Sequence, residues 1–251
     1  MASIQETKEI VAESCRILGK LNLTKEATGH VSARIEGTDR ILIRARGPQE
    51  EGVRFTTAHE VITADLNGNK LDGDEGFARP QEVFIHTWIY KTRPEVNSVV
   101  HIHPPTVVLF TICNKPLLPL YGAYDPSGLR LYLDGIARYP RSILISNDER
   151  GQEFAAALGD KRVCLMRGHG ITSVGASVEE ATVTAIKLNQ LAEMNYQAAL
   201  LGTPEAISDE DIQAFANIGH MVTEGGRRTT GHLTSAWRYY SRLLGGEEPK
   251  K

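Results

Sequence analysis

The sequence predicts a layered α+β (or α/β) domain in which a central, mainly antiparallel β-sheet is sandwiched by helices. Three observations lead there. Two short β-branched runs follow one another as a hairpin early in the chain, later strand-like runs alternate with helical stretches, and no G-x-G-x-x-G or Walker sequence marks a doubly wound nucleotide fold. With 251 residues, 41% hydrophobic and 24% charged, the chain can bury one substantial core. We therefore expect a single domain over residues 1–251, ending in a helical extension from about residue 203.

Residues 3–19 read as an amphipathic helix, with Ile4, Ile10, Val11, Cys15, Ile17 and Leu18 roughly on one face, Ser3 as cap and Gly19 as stop. Residues 30–35 and 40–44 form the hairpin strands, joined by Glu36-Gly37-Thr38-Asp39. Residues 56–60 resemble a short helical turn before a strand over 61–65, which closes on the turn 66–69. Pro80 opens a helix through about Thr92, burying Val83, Phe84, Trp88 and Ile89. A strand from Ser98 ends at or just past His103, because Pro104 cannot donate to a ladder. A short helix over 106–113 and a loop over 115–124 follow. Residues 142–146 read as a strand, Asn147 or Asp148 caps a helix to Leu158, and 162–166 is the next strand, broken at Gly168-His169-Gly170. Ser177 starts the longest helix, from Val178 to about Leu201, and helices over 209–221 and 235–244 complete the chain.

Charge and cysteine usage exclude several classes of function. A net charge of -3 and a pI near 6.3 give no general attraction to nucleic acid or an anionic membrane, which leaves a small molecule as the expected partner. Cys15, Cys113 and Cys164 are widely spaced in apolar settings, the pattern of reduced core cysteines. The start of the chain lacks the basic and apolar regions of a signal peptide, and no run approaches 18 apolar residues. A cytoplasmic location is expected.

Chemistry concentrates in two stretches. In Ser98-Val99-Val100-His101-Ile102-His103-Pro104, side chains two apart on a strand point the same way, so His101 and His103 present two imidazoles together while Ile102 turns to the core. That suits a bidentate metal ligand, although two histidines satisfied by backbone carbonyls fit the pair alone as well. His169 then emerges between two glycines at another strand end, where it could complete a three-histidine set with open coordination positions; a flexible turn is the plain alternative. Glu82, near the start of the Pro80 helix, could by position alone be a carboxylate held by the helix dipole.

Taken together, Gly29-His30-Val31-Ser32-Ala33-Arg34, Glu82 leading into Arg93-Pro94-Glu95-Val96-Asn97-Ser98-Val99-Val100-His101-Ile102-His103, and Leu165-Met166-Arg167-Gly168-His169-Gly170 resemble the class II aldolase/adducin family over roughly residues 4–201. The resemblance implies one divalent ion per subunit, Zn, Mn, Co or Fe, held by His101, His103 and His169. It implies that Glu82 is the acid/base and also a metal ligand before substrate arrives. It further implies a homotetramer whose active sites lie at subunit interfaces, with Tyr121 reaching a neighbour's site as a catalytic tyrosine; packing on its own subunit is the alternative for that residue. Adducin-like members that lack catalysis typically lose the metal histidines, which are present here.

The chain departs from the family's sugar-phosphate pattern. His30 replaces a phosphate-binding asparagine, and Pro80-Gln81, preceded by Arg79, replaces a serine pair. Proline offers no N–H, whereas the Arg79 guanidinium suits a carboxylate as well as a surface position. These changes resemble the branch that decarboxylates hydroxylated aromatic or heteroaromatic carboxylates such as a dihydroxyphthalate-like compound. Aldol cleavage of a small hydroxy carbonyl compound is the alternative. Either reaction leaves electron density to be held as an enolate-like oxyanion, for which a divalent ion is a suitable Lewis acid. His30 and Arg79 are expected substrate contacts. His232 and Tyr239, in an aromatic and basic C-terminal segment, would contact substrate from a neighbouring subunit or else belong to an interface helix. His59, His86 and His220 carry no functional expectation.

Overall fold

The computed structural model describes the backbone of residues 3–223 and 228–245 and the side chains of 3–217 and 233–245. Eight strands form one sheet among the described residues: β1 His30–Arg34, β2 Arg40–Arg44, β3 Val61–Asp65, β4 Lys70–Asp72, β5 Ser98–Ile102, β6 Ala137–Tyr139, β7 Val163–Met166 and β8 Gly170–Gly175. They lie in the order β4-β3-β2-β1-β5-β8-β7-β6. Every pairing is antiparallel except β6 with β7. The helices are α1 Ile4–Lys20, α2 Val83–Thr92, α3 Pro105–Ile112, α4 Pro126–Asp134, α5 Asp148–Leu158, α6 Val178–Leu201, α7 Asp209–Thr223 and α8 Arg228–Leu244.

Both faces of the sheet are covered, and alternate residues of one strand serve separate cores. Val100 and Ile102 of β5 join Val31, Leu42 and Ile171 against Val11, Cys15 and Leu18 of α1 and Leu188 and Leu191 of α6. Val99 joins Ile41, Ile43, Ile62, Cys164 and Met166 against Phe84, Ile85 and Ile89 of α2 and Phe154 and Leu158 of α5. Strands buried on both sides carry nearly continuous apolar runs, which explains why Val99-Val100 and Ile41-Leu42-Ile43 show no polar alternation. By the same period of two, His101 shares the α2/α5 face with Val99.

Several local expectations change. Gly19 lies inside α1, which runs on to Lys20; a Cβ there would stand 2.7 Å from Arg54 Cα, so this glycine permits close approach of the 53–55 turn and does not stop the helix. Ser3 caps α1 as expected, in a capping box with Glu6. The helix after Pro80 begins at Val83, with Glu82 at the N-cap position. Residues 142–146 are not a strand: their apolar pattern comes from Ile145, fully buried in the α2/α5 core, while its N–H donates to a side chain instead of a ladder. The short strands β4 and β6, the strand β8 and helix α4 were not anticipated. Helix α6 and its Ser177 cap match expectation.

Candidate metal centre

His101 and His103 come from β5 and the residue just past it, as the period of the strand requires. Their Nε2 atoms face each other at 3.0 Å. His101 is fully buried and is oriented from behind, with its Nδ1 3.3 Å from Thr172 Oγ1 on the neighbouring strand β8. Thr172 in turn donates to Met166 Sδ at 3.6 Å. A proton on His101 Nδ1 would therefore have an acceptor in the threonine, which leaves Nε2 as the lone-pair nitrogen.

His169 sits in the β7–β8 turn, and its flanking glycines are needed for different reasons. Gly168 has φ +58, in the left-handed region that side chains disfavour. At Gly170 a Cβ would run into the Ile102 carbonyl oxygen and lie 2.6 Å from His103 Cδ2, so the turn can approach the His-x-His segment only without a side chain there. The ring centroids of His169 lie 4.9 Å from His101 and 5.0 Å from His103.

Glu82 closes the set. Its Oε2 lies 3.3 Å from His169 Nε2 and 3.6 Å from His101 Nε2. Its Oε1 accepts the Ile145 backbone N–H at 2.9 Å. Glu82 stands at the N-cap position of α2 without a cap hydrogen bond from its side chain, and the side chain is buried beside the histidines. Ligand atoms from Glu82, His101, His103 and His169 all lie within 4.8 Å of one another.

The donor set fits a divalent ion. Both ring nitrogens of His169 are buried without a hydrogen-bond partner among the described residues, and coordination through Nε2, the nitrogen facing Glu82, would relieve one of the two. Burial and the neighbouring imidazoles hold His101 well below the usual histidine range and lower His103 to about 4. Neutral imidazoles are the form that binds metal.

Beside this set runs a buried polar chain. His30 Nδ1 and His86 Nε2 are 2.7 Å apart, His86 Nδ1 and Ser32 Oγ 2.6 Å, and Ser32 Oγ and the Tyr90 hydroxyl 2.8 Å. The His30 ring lies 5.1 Å from that of His101, its strand partner across β1 and β5. Burial lowers His86 to about 3 and raises Tyr90, so both stay neutral. The approach to β1 is fixed by the fully buried Arg44, which donates to the carbonyls of Ala27 at 3.0 Å and Gly29 at 2.9 Å and pairs with Glu50 at 2.7 Å. Sequence reasoning missed His86, Ser32 and Tyr90. The available signal was spacing: Ser32 follows His30 by two on a strand, and Tyr90 follows His86 by four on a helix.

The other expected site residues are not brought to the histidines by any described contact. Arg79 is half-buried; its guanidinium stacks on Phe84 with 5.2 Å to the ring centroid and donates to the Pro80 carbonyl at 3.3 Å. Tyr121 is buried against its own subunit, its ring 5.3 Å from Tyr124 and its hydroxyl close over Gly128. It also lines a cavity of about 320 Å³ with Leu120, Tyr124, Met194 and Pro204. Tyr239 is 61% exposed on α8. The side chains of His220 and His232 lie outside the described residues.

Comparison with known proteins shows the family. Residues 9–196 match the Class II Aldolase and Adducin N-terminal domain. The chain belongs to the class II aldolase and adducin family. Among curated members it is 37% identical over 244 residues to the 3,4-dihydroxyphthalate decarboxylase of Terrabacter sp. (strain DBF63), covering 95% of this chain and 97% of that protein. It is 36% identical over 238 residues to the 3,4-dihydroxyphthalate decarboxylase of Arthrobacter keyseri, covering 92% and 95%. The chain is a lyase of the class II aldolase family. The fold is that of L-fuculose 1-phosphate aldolase from Glaciozyma antarctica PI12, with a TM-score of 0.78 at 21% identity over 100% of this chain and 96% of that one. No helix among the described residues is long and apolar enough to cross a membrane.

Proposed function

We propose that this protein is a divalent-metal-dependent decarboxylase of a hydroxylated aromatic dicarboxylate of the 3,4-dihydroxyphthalate kind. The observation that carries the reading is the placement of Glu82, one carboxyl oxygen fixed by the Ile145 N–H and the other 3.3 Å from His169 Nε2. The identity of 36–37% to two decarboxylases over nearly full length supports the choice of substrate.

His101, His103 and His169 would hold the ion, with Glu82 beside them. When bound, the ion would supply Lewis acidity toward adjacent carboxylate and hydroxyl oxygens of the substrate. Loss of CO₂ breaks a carbon–carbon bond and leaves an electron pair that must take a proton at carbon. Because Glu82 Oε1 already accepts an N–H, the protonated carboxyl carries its hydrogen on Oε2, on the side of the histidines. Glu82 thus delivers the proton and regains one from solvent. Arg79 is assigned to a substrate carboxylate. Tyr121, His232 and Tyr239 are assigned as contacts completed in a cytoplasmic homotetramer of single-domain subunits.

The test is CO₂ release from 3,4-dihydroxyphthalate by the metal-loaded protein, run beside aldol cleavage of L-fuculose 1-phosphate. Turnover of the first and none of the second is expected; the reverse result refutes the decarboxylase and assigns aldol chemistry. Sedimentation is expected to give a tetramer, and an active species of the 27.6 kDa monomer mass overturns the assembly.

A further inference from the structure

We propose that Tyr90, Ser32 and His86 form a one-way hydrogen-bond chain that fixes His30 in the tautomer with its proton on Nε2. His30 then offers an N–H donor, and not a basic nitrogen, to an anionic oxygen of the substrate. The substrate half of this statement rests on the decarboxylase reading; the tautomer half does not.

The direction is set at the blind end of the chain. Tyr90 is 2% exposed, and the side-chain partner of its hydroxyl among the described residues is Ser32 Oγ at 2.8 Å. The phenol proton therefore has Ser32 Oγ as its acceptor. In the opposite direction that proton would be buried without one, a state disfavoured by about 1–3 kcal/mol. A hydroxyl has one proton, so Ser32, accepting from Tyr90, donates its own to His86 Nδ1 at 2.6 Å. His86 is fully buried and kept neutral, lowered to about 3, so its single ring proton is on Nε2. That proton is donated to His30 Nδ1 across 2.7 Å.

His30 Nδ1 is thereby an acceptor, and the ring carries its proton on Nε2. No described residue hydrogen-bonds to that nitrogen, and the neighbouring ring is the candidate ligand His101, 5.1 Å away between centroids. Tyr90, Ser32 and His86 are positioning residues, acting through His30. A neutral donor suits a carboxylate or phenolate oxygen, because it strengthens as charge collects on that oxygen.

The proposal is tested without substrate by long-range proton–nitrogen correlation spectra of the zinc-loaded protein labelled at histidine nitrogens. The His30 signals are assigned by their loss in His30→Gln. A protonated Nε2 beside a bare Nδ1 is expected. A proton on Nδ1, or on both nitrogens at neutral pH, overturns the proposal. Tyr90→Phe removes the proton that sets the direction and is expected to give mixed His30 tautomers; a spectrum unchanged from the native protein overturns Tyr90 as the source. Should that variant not fold, the native spectrum alone still decides the tautomer.

A kinetic arm reads the substrate half. His30→Leu is expected to raise KM for 3,4-dihydroxyphthalate roughly tenfold or more, the worth of a hydrogen bond to a charged group. Tyr90→Phe, leaving about half the molecules in the binding tautomer, should raise it only about twofold. An unchanged KM in His30→Leu overturns the substrate contact. If dihydroxyphthalate is not turned over at all, the decarboxylase reading fails while the spectra still judge the tautomer.

Discussion

Replacing Glu82 by glutamine separates the roles this side chain could hold. Oε1 accepts the Ile145 N–H at 2.9 Å, and Oε2 lies 3.3 Å from His169 Nε2 and 3.6 Å from His101 Nε2. The amide carbonyl of Glu82→Gln can keep the Ile145 bond, so stability should change by about 1 kcal/mol or less. The amide cannot give a proton to carbon. Turnover should fall roughly 10²- to 10⁴-fold, which is about 3–5 kcal/mol of barrier, while the three histidines retain the metal and KM moves little. Glu82→Ala is the contrast. It strands a buried N–H at a cost of roughly 1–3 kcal/mol, visible as a lower melting temperature by about 2–4 °C per kcal/mol in a chain of this size. Elemental analysis, kcat and KM from CO₂ release, and a thermal melt on the two variants provide the test. Native turnover in Glu82→Gln refutes the acid role, and loss of metal in that variant makes Glu82 an essential ligand instead.

Three further outcomes are expected. Each of His101→Ala, His103→Ala and His169→Ala should lower metal content and activity together, because two imidazoles cannot supply the same set; unchanged metal in all three by elemental analysis rules the centre out. Gly170→Ala places a methyl against the Ile102 carbonyl and 2.6 Å from His103 Cδ2, so it should cost about 1–3 kcal/mol in a melt and weaken metal binding in a titration; a variant as stable and as tight as the native protein refutes that account of the turn. The metal-free protein should lose stability as pH falls below about 6.5, because His86, lowered to about 3, binds its proton in the unfolded chain first. The slope should approach about 1.4 kcal/mol per pH unit between those values from this group alone, and a melting temperature flat from pH 6.5 to 4 contradicts it.

The candidate centre was more legible than the sheet around it. Two histidines at a spacing of two before a proline, and a third between glycines, state their geometry locally, since strand period and glycine conformation need no distant partner. Helix α6 was equally plain, with its Ser177 cap and long periodic run. Residues 142–146 misled because burial and strand formation leave the same apolar mark. Ile145 is buried in a core, yet its N–H serves Glu82, and only the fold reveals that partner. Strands β4 and β6 are three residues each, too short to express a period. The His30–His86 bond joins residues 56 apart in the chain, so the polar chain exists only once α2 lies across β1.

Helix α2 carries Glu82 at its threshold, His86 one turn on and Tyr90 one turn further. Residues four apart stay near one side of a helix, so a single rigid rod bears the proposed proton donor and two members of the chain that orients His30. Any drift of that rod, by rotation or by sliding along β1, would displace both at once. Adaptation to a new substrate would therefore be constrained to leave α2 in place and to proceed through other borders of the site, since acidity and recognition here share one mechanical mounting.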